Sequence, residues 1–214
     1  MKRRLASIRE RMARACDSVG RDPDSVTLVA VSKTHPADAI REAYDLGLRE
    51  FGESRVQEAI PKIESLPNDI VWHFVGHLQS NKAKKAGQYF DVIHTLDSAD
   101  QLKELQKANR RIDALIEVNI AKEPQKHGIF AERLDDFRKE VIHYQQVHFR
   151  GLMTIGPALG EQEKMRPFFK SLRLLNERIG GDWLSMGMSG DFEVAIQEGS
   201  THIRVGTALF GERS

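Results

Sequence analysis

Short apolar runs and amphipathic stretches alternate along the whole chain. The clearest run spans residues 26–32, Val-Thr-Leu-Val-Ala-Val-Ser, and leads straight into Lys33. A continuous β-branched and apolar run of this kind predicts a strand buried on both faces. Comparable runs predict strands at 49–52, 71–75, 91–95, 114–119, 147–153, 183–185 and 202–205. Helical spacing of apolar residues falls between them, at 37–46, 55–63, 82–89, 99–109, 131–143, 164–179 and 192–198. A further helix over 3–19 precedes the first strand, with Leu5, Ile8, Met12, Ala15, Cys16 and Val19 along one face. Pro36 suits a first helical position, and Gly47 and the pair Gly180-Gly181 suit helix ends.

Eight strands alternating with helices predict a parallel sheet. Eight is also the number that closes a (β/α)8 TIM-like barrel, and 214 residues lie near the lower size limit of that fold. After the eighth strand only about nine residues remain, too few for a normal helix. The extra N-terminal helix is therefore expected to cover that gap against the barrel wall. An open doubly wound sheet has the same periodicity and remains the structural alternative. With no linker, low-complexity tract or repeat beyond the βα rhythm, a single domain over 1–214 is expected. The polar, glycine-bearing segment 156–164 reads as a flap or a plain connection.

Charge narrows the function. The formal net charge is +1, so no strong electrostatic footprint for nucleic acid is present. The densest basic cluster, Lys82, Lys84 and Lys85, reads as a solvated helix face. The one cysteine, Cys16, sits on the apolar face of the first helix and reads as a small core residue. The charged start Met1-Lys2-Arg3-Arg4 is not followed by an apolar stretch, which argues against a secretory signal. No window approaches the length of a membrane span. A soluble, cytoplasmic protein is expected.

The candidate chemistry lies at strand exits, which form one functional rim in a barrel. Strand one exits at Lys33, where an amine can form an imine with a carbonyl compound. Strand three exits into Gly76-His77-Leu78-Gln79-Ser80-Asn81, and strand six into Thr154. Strand seven exits into Met186-Gly187-Met188-Ser189-Gly190-Asp191, and strand eight into Arg204-Val205-Gly206-Thr207. Glycines admit an oxyanion close to backbone N–H groups, and serine and threonine add hydroxyl donors. Taken singly, each segment reads equally well as a tight turn. A phosphate site opposite a strand-end lysine is the more specific combination and suits an aldehyde bearing a phosphate. His73 alternates with Trp72 and Phe74 and reads as a satisfied core histidine. His94 and His202 also lie in strands. No pair has metal-ligand spacing and the carboxylates supply no obvious site, so no metal is expected. Lys126-His127-Gly128 could reach the same rim, as a second imine site or as an exposed loop lysine.

Several segments together carry a resemblance: Val29-Ala30-Val31-Ser32-Lys33-Thr34, Phe51-Gly52-Glu53, Val56-Gln57-Glu58, 72–82, Gly151-Leu152-Met153-Thr154-Ile155-Gly156, 184–189 and Arg204-Val205-Gly206-Thr207. In this order they resemble the pyridoxal-phosphate homeostasis protein family, which is related to the barrel domain of alanine racemase. The resemblance implies a fold-type III barrel carrying pyridoxal 5′-phosphate as an imine on Lys33. It implies that Ser189, Gly206 and Thr207 hold the phosphate, that Gly190 adds a backbone donor, and that Arg204 lies beside the pyridine nitrogen. An arginine there disfavours protonation of that nitrogen and weakens the ring as an electron sink. The family commonly has asparagine where this chain has Ser54, which puts any contact made by that asparagine in doubt.

Racemisation needs a second base opposite the lysine, which racemases take from a tyrosine of a second domain. Tyr44, Tyr89 and Tyr144 lie in or near helices, none at a strand exit. The expected function is thus intracellular carriage or buffering of pyridoxal phosphate without efficient catalysis, with delivery to apo-enzymes as the implied partnership and a monomer as the expected state. The alternative is a weak pyridoxal-phosphate-dependent racemase or related enzyme.

Overall fold

A computed structural model describes residues 1–157 and 159–211. The strands are β1 (Thr27–Val31), β2 (Glu50–Glu53), β3 (Val71–Phe74), β4 (Val92–Leu96), β5 (Ile112–Glu117), β6 (Val147–Met153), β7 (Trp183–Met188) and β8 (His202–Val205). All neighbours pair in parallel, and β1 pairs with β8, so the sheet closes into a barrel in chain order. The open-sheet alternative is thereby excluded. Helices α1 (Lys2–Asp17), α2 (Ala37–Asp45), α3 (Val56–Ser65), α4 (Ser80–Tyr89), α5 (Ala99–Leu105), α6 (Leu134–Val141), α7 (Arg166–Arg178), α8 (Phe192–Gln197) and α9 (Thr207–Phe210) surround it.

The eighth helix position is indeed short, a single turn at α9. Helix α1 packs over α8 and α9. Arg11 forms a two-pronged ion pair with Glu193 of α8, and Arg4 donates to the carbonyl of Phe210 in α9. Leu5, Ile8, Met12, Ala15 and Cys16 are buried beneath it. The expected covering role of the N-terminal helix is observed, and Cys16 is a core residue.

Alternation along the strands sorts two kinds of core. Leu28, Ala30, Phe51, Trp72, Phe74, Ile93, Ile203 and Val205 pack outward against the helices in one large apolar cluster. The opposite parity points into the barrel, where Val92, Leu115 and Met153 form a second, small cluster with Val71 and Trp183. Three buried histidines, His73, His94 and His202, share that interior with ring centroids 5.0–6.2 Å apart. Strand β7 runs to Met188, beyond its expected end at 185. Gly187 reads as a breaker in sequence, yet its φ of +91° and a register shift against β8 carry the strand through. A Cβ there would lie 2.5 Å from the Ala195 methyl, so only glycine fits.

No helix among the described residues is long and apolar enough to cross a membrane.

Candidate functional site

Inward parity on β1 runs Thr27, Val29, Val31 and then Lys33, just past the last paired residue. Thr34 follows with φ of +69°, a conformation that β-branched residues seldom adopt, and turns the chain sharply at the exit. Val31 and Lys33 line a cavity of about 330 Å3 together with Val75, Ile155, Met188, Ser189, Gly190, Arg204, Gly206 and Thr207. All six residues singled out from the sequence therefore open onto one cavity at the carboxyl ends of the strands. Lys33 is exposed to it and has no hydrogen-bond or ion-pair partner among the described residues. Ser189 Oγ accepts the backbone N–H of Ala208 at 3.3 Å, which joins the loop after β7 to the single turn after β8. Ile155 and Met188, two of its lining residues, present exposed apolar side chains.

Arg204 is buried and has no carboxylate partner within ion-pair distance among the described residues. Burial lowers its pKa to about 10, with Glu117 and Asp191 pulling the other way. Its guanidinium donates to Ser185 Oγ at 2.6 Å and to the Thr154 carbonyl at 2.8 Å. From Ser185 a chain of hydrogen bonds crosses the barrel interior: His94 Nδ1 at 2.9 Å, His94 Nε2 to His73 Nδ1 at 2.8 Å, and His73 Nε2 to Glu50 at 2.6 Å. With both rings neutral, one direction satisfies every proton. The Glu50 carboxylate can only accept, so His73 Nε2 donates and its Nδ1 accepts from His94 Nε2–H. His94 Nδ1 then accepts the Ser185 hydroxyl proton, and Ser185 Oγ accepts from Arg204. The chain thus links Arg204 at the cavity to a half-exposed carboxylate at the opposite end of the barrel. Sequence reading placed these histidines in the core but could not see the chain, because its links come from β2, β3, β4, β7 and β8. Strand parity alone names the candidates.

Neighbouring groups complete the rim. Glu53 is fully buried on the outer side of β2 and accepts from Ser32 Oγ at 2.8 Å and from Lys62 Nζ of α3 at 2.7 Å. Lys62 also donates to the Ser32 carbonyl, so this pair braces the residue just before Lys33. Ser54 lines a different cavity, of about 360 Å3, with Gln57, His77 and Lys82. Its backbone approaches Gly76 so closely that a Cβ at Gly76 would lie 2.2 Å from the Ser54 oxygen. Lys126 is not the exposed loop lysine expected as the simpler reading. It is half-buried, and its amine bonds the Gly156 carbonyl at 3.0 Å and pairs with Glu123. It ties the loop after β5 to the segment 156–164, of which Ala158 lies outside the described residues.

Three buried ionisable groups inside and above the barrel set the pH response. Burial, then His73, His202 and Arg204, holds His94 well below the ordinary imidazole range. Burial, then His73, Arg150 and Arg204, lowers His202 to about 3. Glu117 moves the other way, up to about 7, through burial and then Asp97, against an opposing effect of Arg204. As pH falls below about 6.5, the unfolded chain takes up protons on both rings while the folded chain does not. Each ring then costs stability as the pH falls. Glu117 is protonated in the folded chain below about 7 and in the unfolded chain only near 4.5, so it adds stability over the same interval. Two against one leaves a net loss of stability as the pH falls from 6 to 5. Urea unfolding in chelator-containing buffer at pH 7, 6 and 5 measures it. Glu117→Gln is expected to roughly double the slope, and a flat profile in both proteins would contradict uncharged His94 and His202 rings.

A closed parallel barrel with a lysine at the exit of its first strand and hydroxyls and glycines after its last two defines the class. The sequence model described as alanine racemase, N-terminal domain, matches residues 4–214. Solved structures agree: an alanine racemase from Enterococcus faecalis superposes with a TM-score of 0.71 at 17% identity, over 96% of this chain and 58% of that one, which shows the shared fold.

Within this class the chain belongs to the pyridoxal phosphate homeostasis protein family. The Aquifex aeolicus protein of that name is 43% identical over 98% of this chain and 97% of its own length. The Escherichia coli protein is 41% identical over 98% and 95%. The structure of PipY from Synechococcus elongatus with PLP bound is 40% identical, has a TM-score of 0.83, and covers 98% of this chain and 99% of PipY.

Proposed function

We propose that this protein binds pyridoxal 5′-phosphate in the Lys33 cavity and serves its intracellular homeostasis as a carrier or buffer, without efficient catalysis. The observation that carries this reading is the meeting of a lysine amine, unpartnered among the described residues, with Ser189, Gly190, Gly206 and Thr207 in one cavity. Its volume falls in the usual range for small-molecule sites. The names of the relatives and the PLP-bound PipY structure support the same reading. Bound there, the cofactor supplies an aldehyde that a primary amine converts to an imine with loss of water. Lys33 is the residue placed to be that amine. Ser189, Thr207 and the backbone at Gly190 and Gly206 are the donors suited to its phosphate.

Arg204 is assigned to the pyridine nitrogen. It lines the cavity, and its geometry is set by Ser185 and Thr154 from behind. A permanent cation at that position disfavours a protonated ring, which favours holding the cofactor over stabilising a carbanion. Among the described residues no tyrosine lines the cavity, so a second base of the racemase kind has no candidate there. Apo-enzymes that need the cofactor are the partners this role implies.

Borohydride reduction of the holo-protein, followed by peptide mass mapping, tests the attachment. The expected product is one reduced cofactor on the peptide containing Lys33. Label on Lys126 or on no residue would overturn the assignment. Incubation with D- and L-alanine separates carrier from enzyme: cofactor passing to an apo-enzyme without amino-acid turnover supports the carrier, and sustained racemisation contradicts it.

A further inference from the structure

We propose that His77, Asp97 and His127 form a binding site for a divalent transition metal of the zinc class, on the barrel rim beside the Lys33 cavity. The three residues follow β3, β4 and β5, three consecutive strands of the barrel, and their ligand atoms all lie within 4.8 Å of one another. The His77 and His127 rings lie parallel, with centroids 3.5 Å apart and planes 11° from parallel. Asp97 Oδ2 accepts the backbone N–H of Gly128 at 3.3 Å, which holds the His127 loop against the end of β4.

A second, independent observation points to a missing cation. Glu117 is 5% exposed, and its Oε2 has no hydrogen-bond partner among the described residues. It lines the same cavity of about 190 Å3 as His77 and His127. A buried carboxyl oxygen without a partner is costly whether it is protonated or ionised, and a nearby cation with its bound water supplies what it lacks. Lys126 lines this cavity too, but its amine is engaged by Gly156 and Glu123 and does not fill that role.

The donor set selects the ligand. Two imidazoles and one carboxylate suit zinc and its neighbours better than calcium or magnesium, which favour all-oxygen shells. Three protein ligands leave at least one coordination position open, the arrangement of reactive rather than structural zinc sites. The cavity that His77 and His127 line shares Val75 and Ile155 with the Lys33 cavity. Coordination at about 2.0–2.2 Å draws the ligand atoms closer together and tilts the rings out of their stack. Both histidines are exposed, so this motion disturbs no core packing. Sequence spacing did not reveal the site because each ligand comes from a different loop.

Cobalt(II) is the probe, because it occupies such sites and absorbs visibly. Untagged full-length protein, free of cofactor and stripped with chelator, is titrated with cobalt(II). The expected result is a visible ligand-field band that saturates at one equivalent and is bleached by zinc(II). Asp97→Ala and the double variant His77→Ala/His127→Ala are expected to lose the band with unchanged circular dichroism. His127→Gln alone, the mildest change, is expected to weaken cobalt binding at least tenfold. Lys33→Ala is expected to retain the band, which separates this site from the cofactor reading. Absence of a saturable band in the parent protein, or the same band in the double variant, would overturn the proposal.

Discussion

Lys33→Ala is expected to abolish the imine absorption of the holo-protein completely and to leave its unfolding midpoint nearly unchanged. The first half follows from position. Lys33 is the lysine that shares the cavity with Ser189, Gly206, Thr207 and Arg204. The nearest competitor, Lys126, lines the adjoining cavities and already bonds a carbonyl and a carboxylate. The second half follows from partners. Among the described residues Lys33 makes no hydrogen bond or ion pair, so alanine strands no group. Exposed substitutions of that kind usually change stability by no more than about 0.5 kcal/mol. An absorption spectrum and a thermal melt of parent and variant decide both halves. Survival of the band in the variant would move the attachment to another amine, whereas loss of folding would show that Lys33 braces the barrel.

Lys62→Met is expected to destabilise the fold by about 3–5 kcal/mol, the range found when one partner of a buried ion pair is removed. Lys62 is 13% exposed and Glu53 is fully buried, so the pair has little solvent to fall back on. Among the described residues Glu53 Oε2 has no partner even in the parent, and only the Ser32 hydroxyl would remain on Oε1. That loss is a large fraction of a typical domain's stability. Adding Glu53→Gln to Lys62→Met removes the stranded charge and is expected to recover much of the loss. Guanidinium unfolding of parent, single and double variants measures both. Equal stability of single variant and parent would mean that Glu53 is protonated or hydrated without Lys62. Because the pair abuts Ser32, the single variant is also expected to release cofactor faster, although Lys62 does not line the cavity.

The fold was legible to an unusual degree because a parallel barrel repeats one local signal. Each strand is a short apolar run, each helix an amphipathic stretch, and both depend on neighbours a few residues away. The runs at 147–153 and 202–205 match β6 and β8 to the residue. Boundaries slipped where glycine intervened, as at Gly187 in β7, because tertiary pairing overrode a local breaker. Lys33, Ser189, Gly190, Arg204, Gly206 and Thr207 were found from strand exits and from resemblance, and all reached one cavity.

The chain's periodic pattern by itself determined eight strands, the helices between them, and a lysine at the end of the first. Closure of the sheet was a different matter. It requires β1 to pair with β8, about 175 residues away along the chain, and no local pattern reports that contact. The same holds for the Glu50–His73–His94–Ser185–Arg204 chain, the Glu53–Lys62 pair and the His77–Asp97–His127 cluster. Hydrophobic period records which way a side chain faces, whereas a hydrogen bond or a ligand set depends on which strands stand side by side and in what register. That information exists only once the barrel has closed.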